Sequence, residues 1–268
     1  MSICVQMART LCLMAAVGCG AAPTNISGDA RAGEIRVAQS IAIPPKSQAD
    51  NQGIVRLAVV APSLKDYEQA RRSVLAEPFG LRTAAASPGE ISAKWAALQT
   101  HIRSDQETLA ACRSNENDCP AAARAFLQII EQGRKREGRA RIGEINRAIN
   151  LSIKPMADSV QHGIADVWSA PLATLASGAG DCEDYAIAKY LALRETGTVS
   201  DDLRLVIVRD VRRRTDHAVV AVHFEGEWLL LDNRHLVLVK PEEAPYYRPL
   251  FVMDQRGVAE FNIAELRR

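Results

Sequence analysis

No run of apolar residues in this sequence reaches the roughly 18 needed to cross a bilayer as a helix, so a resident transmembrane helix is excluded. Net charge is lacking too. The chain has 33 Lys and Arg against 32 Asp and Glu, a formal +1. That balance gives no reason to expect nucleic acid or an anionic membrane as a partner. No internal repeat is visible, which sets repeat architectures aside. Histidine is scarce, with five in all, and there are six cysteines. What is present, 47% hydrophobic and 24% charged residues over 268 positions, is the make-up of an ordinary soluble globular protein. It suffices for one sizeable domain with appendages.

The N-terminus reads as an export signal. A short start carrying Arg9 leads into an apolar stretch from Leu11 to Val17, then small residues through Ala22. This is the anatomy of a secretory signal peptide over residues 1–22, too short for a mature spanning helix. Cleavage after Ala22 fits the small residues Gly20 and Ala22; lipidation at Cys19 is the other route. Either delivers the chain to a bacterial periplasm, with no stable membrane insertion. Cysteine usage agrees with that address. Cys4, Cys12 and Cys19 fall in the targeting segment, and Cys112 and Cys119 bracket the polar loop "RSNEND". A disulfide is favoured there over a metal site, because no His or further Cys stands nearby. Cys182 is left over as a candidate reactive thiol.

The chain divides by composition and period. Residues 23–86 read as a linker and N-terminal extension, in which "IVRLAVVAP" could add an edge strand and a helix runs up to Pro78. A compact domain is expected over 87–268. It opens with three helical patterns: Trp95, Leu98, Ile102 and Leu109; "PAAARAFLQIIEQ"; and Ile142, Ile145, Ile149 and Ile153. After Gly197 the period changes to strands in "LRLVIVRDV", "HAVVAVHF" and "WLLLDN". Helices followed by antiparallel strands make an α+β fold.

The chemistry concentrates where a glycine-rich turn enters a helix, "GAGDCEDYAIAKYLAL". Asp181 suits the N-cap position, placing Cys182 in the first helical turn. Free amides and the helix dipole favour a thiolate there and could form part of an oxyanion hole. A buried structural cysteine is the bland alternative, but Asp181, Glu183 and Asp184 are poor company for an apolar core. A base is available in His217, which opens one strand, while Asp232 closes the next. A two-residue turn at Glu225 and Gly226 sets Phe224 opposite Glu227 and Val219 opposite Asp232. His217 and Asp232 then share a face, diagonally adjacent, as an orienting carboxylate requires. His223 shares that face at the far end of the hairpin; His101, His162 and His235 have no comparable placement.

These stretches, together with "DVWSAPLATLASGAG", resemble the bacterial transglutaminase-like cysteine proteinases from about Trp95 to Val239. The resemblance implies a papain-like or transglutaminase-like core and peptide-bond hydrolysis by Cys182, His217 and Asp232. Asp166 and Trp168 match the family's Asp-x-Trp element, a wall near the site. It further implies Ca2+ held by Asp181, Glu183 and Asp184. Carboxylates clustered on a tight turn are hard-oxygen donors for such an ion, and without a cation they would oppose a thiolate. Asp201 or Asp202 could complete that set. The implied substrate is a cell-surface protein such as a large adhesin, and a possible partner is an inner-membrane cyclic-di-GMP receptor. Transglutaminase-type amide transfer and a non-catalytic peptide-binding module are the competing readings.

Overall fold

The computed structural model describes residues 77–264. The signal segment, the linker and the helix expected ahead of Pro78 fall outside the described residues. Three amphipathic helices come first: α1 (Glu90–Ser114), α2 (Ala121–Arg134) and α3 (Gly138–Ser152). Their buried stripes are the expected ones, with Trp95, Leu98, Ile102 and Leu109 on α1 and Ile142, Ile145 and Ile149 on α3. Cys112 and Cys119 form a disulfide between the end of α1 and the loop before α2.

A six-stranded antiparallel sheet follows the order β1-β8-β7-β4-β5-β6. Its strands are β1 (Thr83–Ala85), β4 (Leu203–Asp210), β5 (Thr215–Phe224), β6 (Glu227–Leu231), β7 (Tyr247–Asp254) and β8 (Gly257–Phe261). A second, two-stranded parallel sheet joins β2 (Lys154–Pro155) to β3 (Ala179–Gly180). The large sheet takes in Thr83–Ala85 ahead of the boundary placed at residue 87. Three residues are too few to show a period of two, so only the pairing with β8 reveals this strand. β7 lies between β4 and β8, and its proline and a register shift opposite Ile207 and Val208 blur the alternation that would have marked it.

Two helices complete the scaffold, α5 (Pro171–Ser177) and α6 (Cys182–Glu195), with a single turn, α4 (Asp158–Gln161), before them. Helix α6 is the centre of the molecule. Every residue from Cys182 to Leu193 is buried, because α6 packs on β4 and β5 and is covered by α2, α3 and α5. The sheet is buried on both faces. Leu205, Ile207, Val220 and Leu229 meet the helices, while Val206, Val208, Val219 and Leu230 meet Leu81, Ala244, Tyr247 and Phe261. Each such aliphatic side chain contributes about 1.5–3 kcal/mol. That burial fixes the register, since slipping one residue would exchange the two faces.

Candidate active site

Gly178 ends α5 in the left-handed region, φ 67°, and the chain turns into β3. The pairing of β3 with β2 delivers Asp181 to the N-cap of α6 and Cys182 to its first turn. The carboxylate of Asp184 accepts the Asp181 N–H at 3.3 Å, the returning half of a capping box. Gly180 is required by closeness. A Cβ there would stand 2.5 Å from Asp184 Oδ2 and 2.8 Å from Asp184 Cβ. The thiol of Cys182, which is in no disulfide, is buried and donates to Glu183 Oε2 at 3.1 Å.

The β5–β6 hairpin has the expected two-residue turn, with Glu225 at φ 51° and Gly226 at φ 84°, both values suited to a type I′ turn. Phe224 pairs with Glu227 and Val220 with Leu231. Continuing that register brings His217 and Asp232 together, with His217 Nε2 2.9 Å from Asp232 Oδ1. Two further groups hold the carboxylate. Tyr247 Oη donates to Asp232 Oδ2 at 2.6 Å, and the Arg234 N–H donates to Oδ1 at 2.9 Å. Burial opposes the Asp232 charge, yet His217, Tyr247 and the Arg234 amide hold its carboxyl well below the usual range. From α3, Asn150 Nδ2 donates to the carbonyls of Asp232 and His235, and Asn146 Nδ2 to that of His235, each at 2.9 Å. The loop after β6 is thereby clamped. With Nε2 committed to Asp232, Nδ1 is the His217 nitrogen that does not face the carboxylate.

Beside Cys182 lies a buried group of carboxylates larger than the sequence suggested. Asp158, Asp181 and Asp184 bring one oxygen each within 4.8 Å of one another, and Asp158, Asp166 and Glu183 do likewise. Asp158 comes from α4, so it is absent from the local motif. Its Oδ2 accepts the Val167 N–H, while Oδ1 is buried with no protein partner. Asp184 Oδ1 accepts the Ser169 N–H at 2.9 Å. The segment 166–169 thus meets this group through the Asp166 carboxylate and the Val167 and Ser169 amides, and Lys94 Nζ anchors it through Asp166 Oδ2 at 2.5 Å. Burial, with Asp158 nearby, raises the Asp184 carboxyl to about 7. Burial and Asp181 push Glu183 well up. An orphaned buried oxygen among clustered hard donors fits a divalent cation. Asp201 and Asp202 are placed elsewhere, in a 3₁₀ turn before β4, at the opposite end of α6. There the Asp201 carbonyl accepts from Arg204, and Asp202 faces His223 at 3.4 Å.

A thiol at a helix start and a histidine–aspartate pair on an antiparallel sheet define a transglutaminase-like α+β fold with the furniture of a cysteine protease. Residues 106–260 match the family model of the bacterial transglutaminase-like cysteine proteinase BTLCP, and the chain belongs to that family. Cys182, His217 and Asp232 all fall inside the matched span. Solved structures of Legionella pneumophila LapG share the fold. The EGTA-treated form is 23% identical, with a TM-score of 0.50, over 60% of this chain and 87% of that one. A calcium-bound form is 24% identical, with a TM-score of 0.49, over 58% and 87%. No curated protein is matched.

Proposed function

We propose that this cysteine protease is an endopeptidase of the periplasm whose nucleophile, base and orienting carboxylate are Cys182, His217 and Asp232. The observation that carries the reading is the buried His217–Asp232 hydrogen bond at 2.9 Å, on the strand against which the Cys182 helix packs. His217 Nε2–H donates to Asp232, which leaves Nδ1 basic. Nδ1 takes the thiol proton, and the sulfur attacks a peptide carbonyl. The helix-start amides stabilise the oxyanion, His217 protonates the leaving amine, and water hydrolyses the thioester. The product acid leaves and the thiol is restored. Asp232 holds the imidazole tautomer and stays ionised throughout.

The carboxylates beside Cys182 hold Ca2+ in this reading, with Asp158 joining Asp181, Glu183 and Asp184. When bound, the ion supplies positive charge that lets these groups remain ionised beside a thiolate. The substrate is a cell-surface protein such as a large adhesin, reached after export through the segment 1–22. No described helix is long and apolar enough to cross a membrane.

Two measurements, one on the purified protein and one in cells, test this. Iodoacetamide should alkylate Cys182 faster in the native protein than in a denatured control. Mapping of new protein termini in cells should show cuts that disappear with Cys182→Ala. Equal native and denatured alkylation rates, or an unchanged set of termini, would remove the nucleophile.

A further inference from the structure

The near-zero net charge hides a local asymmetry at the end of the sheet that carries His217. The β4–β5 turn reads "RDVRRRTDH", ending at the base itself. Arg212, Arg213 and Arg214 are exposed at its tip. Arg209 and Arg248 stand directly opposite each other on β4 and β7, and Arg234 adjoins them through Asp210. Among these arginines Asp216 pairs with Arg209, and Asp210 with Arg213 and Arg234.

Three features of this arrangement run against the fold's own stability, offset in part where Asp216 pairs with Arg209 and Asp210 with Arg213. Like charges directly opposite on neighbouring strands destabilise the pair. Three consecutive arginines at one tip repel one another. Arg214 also occupies the left-handed region, φ 60°, where a residue with a side chain is strained and glycine or asparagine is at ease.

The tip is nevertheless held in place. Asp210 Oδ1 accepts the N–H groups of Arg212 and Arg213, each at 3.0 Å, and its carbonyl accepts that of Arg214 at 2.7 Å. Val211 N–H donates to the Tyr246 carbonyl at 3.0 Å, and the Arg212 guanidinium lies 4.3 Å from the Tyr246 ring centroid. A rigid turn presenting planar, permanently charged forks is pre-organised for carboxylates. Two residues, Thr215 and Asp216, stand between Arg214 and His217, three steps of strand or about 10 Å. A polypeptide held at His217 would therefore have this turn about that distance away along β5.

We propose that the β4–β5 turn, with Arg248, is an exosite that engages an acidic stretch of the protein substrate close to its scissile bond. The proposal rests on the proteolytic reading, and the test keeps the two apart. Binding of fluorescein-labelled deca-glutamate is read by anisotropy on full-length Cys182→Ala protein, with deca-lysine as control. The parent should bind deca-glutamate alone, more weakly as salt rises from about 20 to 150 mM. The triple change Arg212→Ser, Arg213→Ser, Arg214→Gly should weaken binding roughly tenfold. Arg248→Ser, on another strand, should weaken it a few-fold and decides the matter should the triple variant misfold. Absent binding, or equal binding by the variants, overturns the exosite. So does flotation of the parent with phosphatidylglycerol vesicles without deca-glutamate binding, which would assign the surface to a membrane. Iodoacetamide labelling of otherwise wild-type protein reports separately on the protease reading, which fails if Cys182 is inert whatever the anisotropy shows. When a proteome-derived peptide mixture is digested, Asp and Glu should be enriched near the cuts made by wild-type protein and not near those made by the triple variant.

Discussion

Lys189 lies on α6 two turns beyond Cys182, fully buried, with its ammonium nitrogen lacking any hydrogen-bond partner. The Tyr185 ring centroid lies 5.9 Å from its Nζ. Burial lowers its pKa to about 7, while Asp232 pulls the other way. A buried donor left unsatisfied costs about 1–3 kcal/mol, so Lys189→Met should stabilise the fold by an amount of that order at pH 7. The sign of the pH dependence follows from linkage. Between pH 7 and the ordinary lysine value the unfolded chain holds a proton that the folded chain has released. The penalty is therefore full below pH 7 and relieved as pH rises, at up to about 1.4 kcal/mol per pH unit. Urea denaturation of both proteins from pH 6.5 to 9.5 should show the Met variant ahead at first and its advantage shrinking. Parallel curves, or a Met variant that is weaker throughout, would mean the amine is satisfied in the folded state.

At the scale of elements, the sequence carried most where a period or a turn rule applied. The two-residue turn at Glu225 and Gly226, with period-two alternation, is enough to place His217 and Asp232 on one face. The N-cap at Asp181 followed from local chemistry in the same way. Neither rule reaches Asp158, which sits on a four-residue turn, nor Tyr247, on a strand interrupted by Pro249. What joins them to the site is the two-residue β2–β3 pairing and the placement of β7 in the sheet, contacts between segments too short or irregular to announce themselves. The β2–β3 pairing also sets the start of the helix that carries Cys182. In Gly180→Ala the new methyl group collides with the side chain that caps α6 and holds the Ser169 N–H. Overpacking of this kind costs about 1–3 kcal/mol, and here it shifts the helix start that presents Cys182. The expected result is a lower Tm with slower alkylation of Cys182. Gly143→Ala is the control. It lies within α3 with nothing within 4 Å of the added carbon and should be neutral or stabilising by up to about 1 kcal/mol. Indistinguishable behaviour of the two variants would refute the steric account.

For the molecule as a whole, the carboxylate group matters because it ties together segments far apart in sequence. Asp158 on α4, Asp166 in the following loop and Asp181 to Asp184 at the start of α6 converge beneath the helices. Lys94 brings α1 into the same group through Asp166. Without a cation, several negative groups are confined in a buried space, and the raised Asp184 and Glu183 values record that cost. A cation bound only by the folded chain reverses it, adding about 2.7 kcal/mol at a hundredfold excess over its Kd. For a protein of this size that corresponds to roughly 5–10 °C in Tm. Scanning fluorimetry of the full chain should show Tm rising with added calcium and falling again with EGTA, together with peptidase activity. Asp158→Asn separates the cation's contribution from that of packing. The asparagine oxygen can still accept the Val167 N–H, so the fold is expected to persist while the calcium-dependent shift largely disappears. If wild-type protein melts at the same temperature in calcium and in EGTA, the convergence of these carboxylates is not a cation site. If Asp158→Asn responds as fully as wild type, the ion is held without α4, and the set narrows to the carboxylates flanking Cys182.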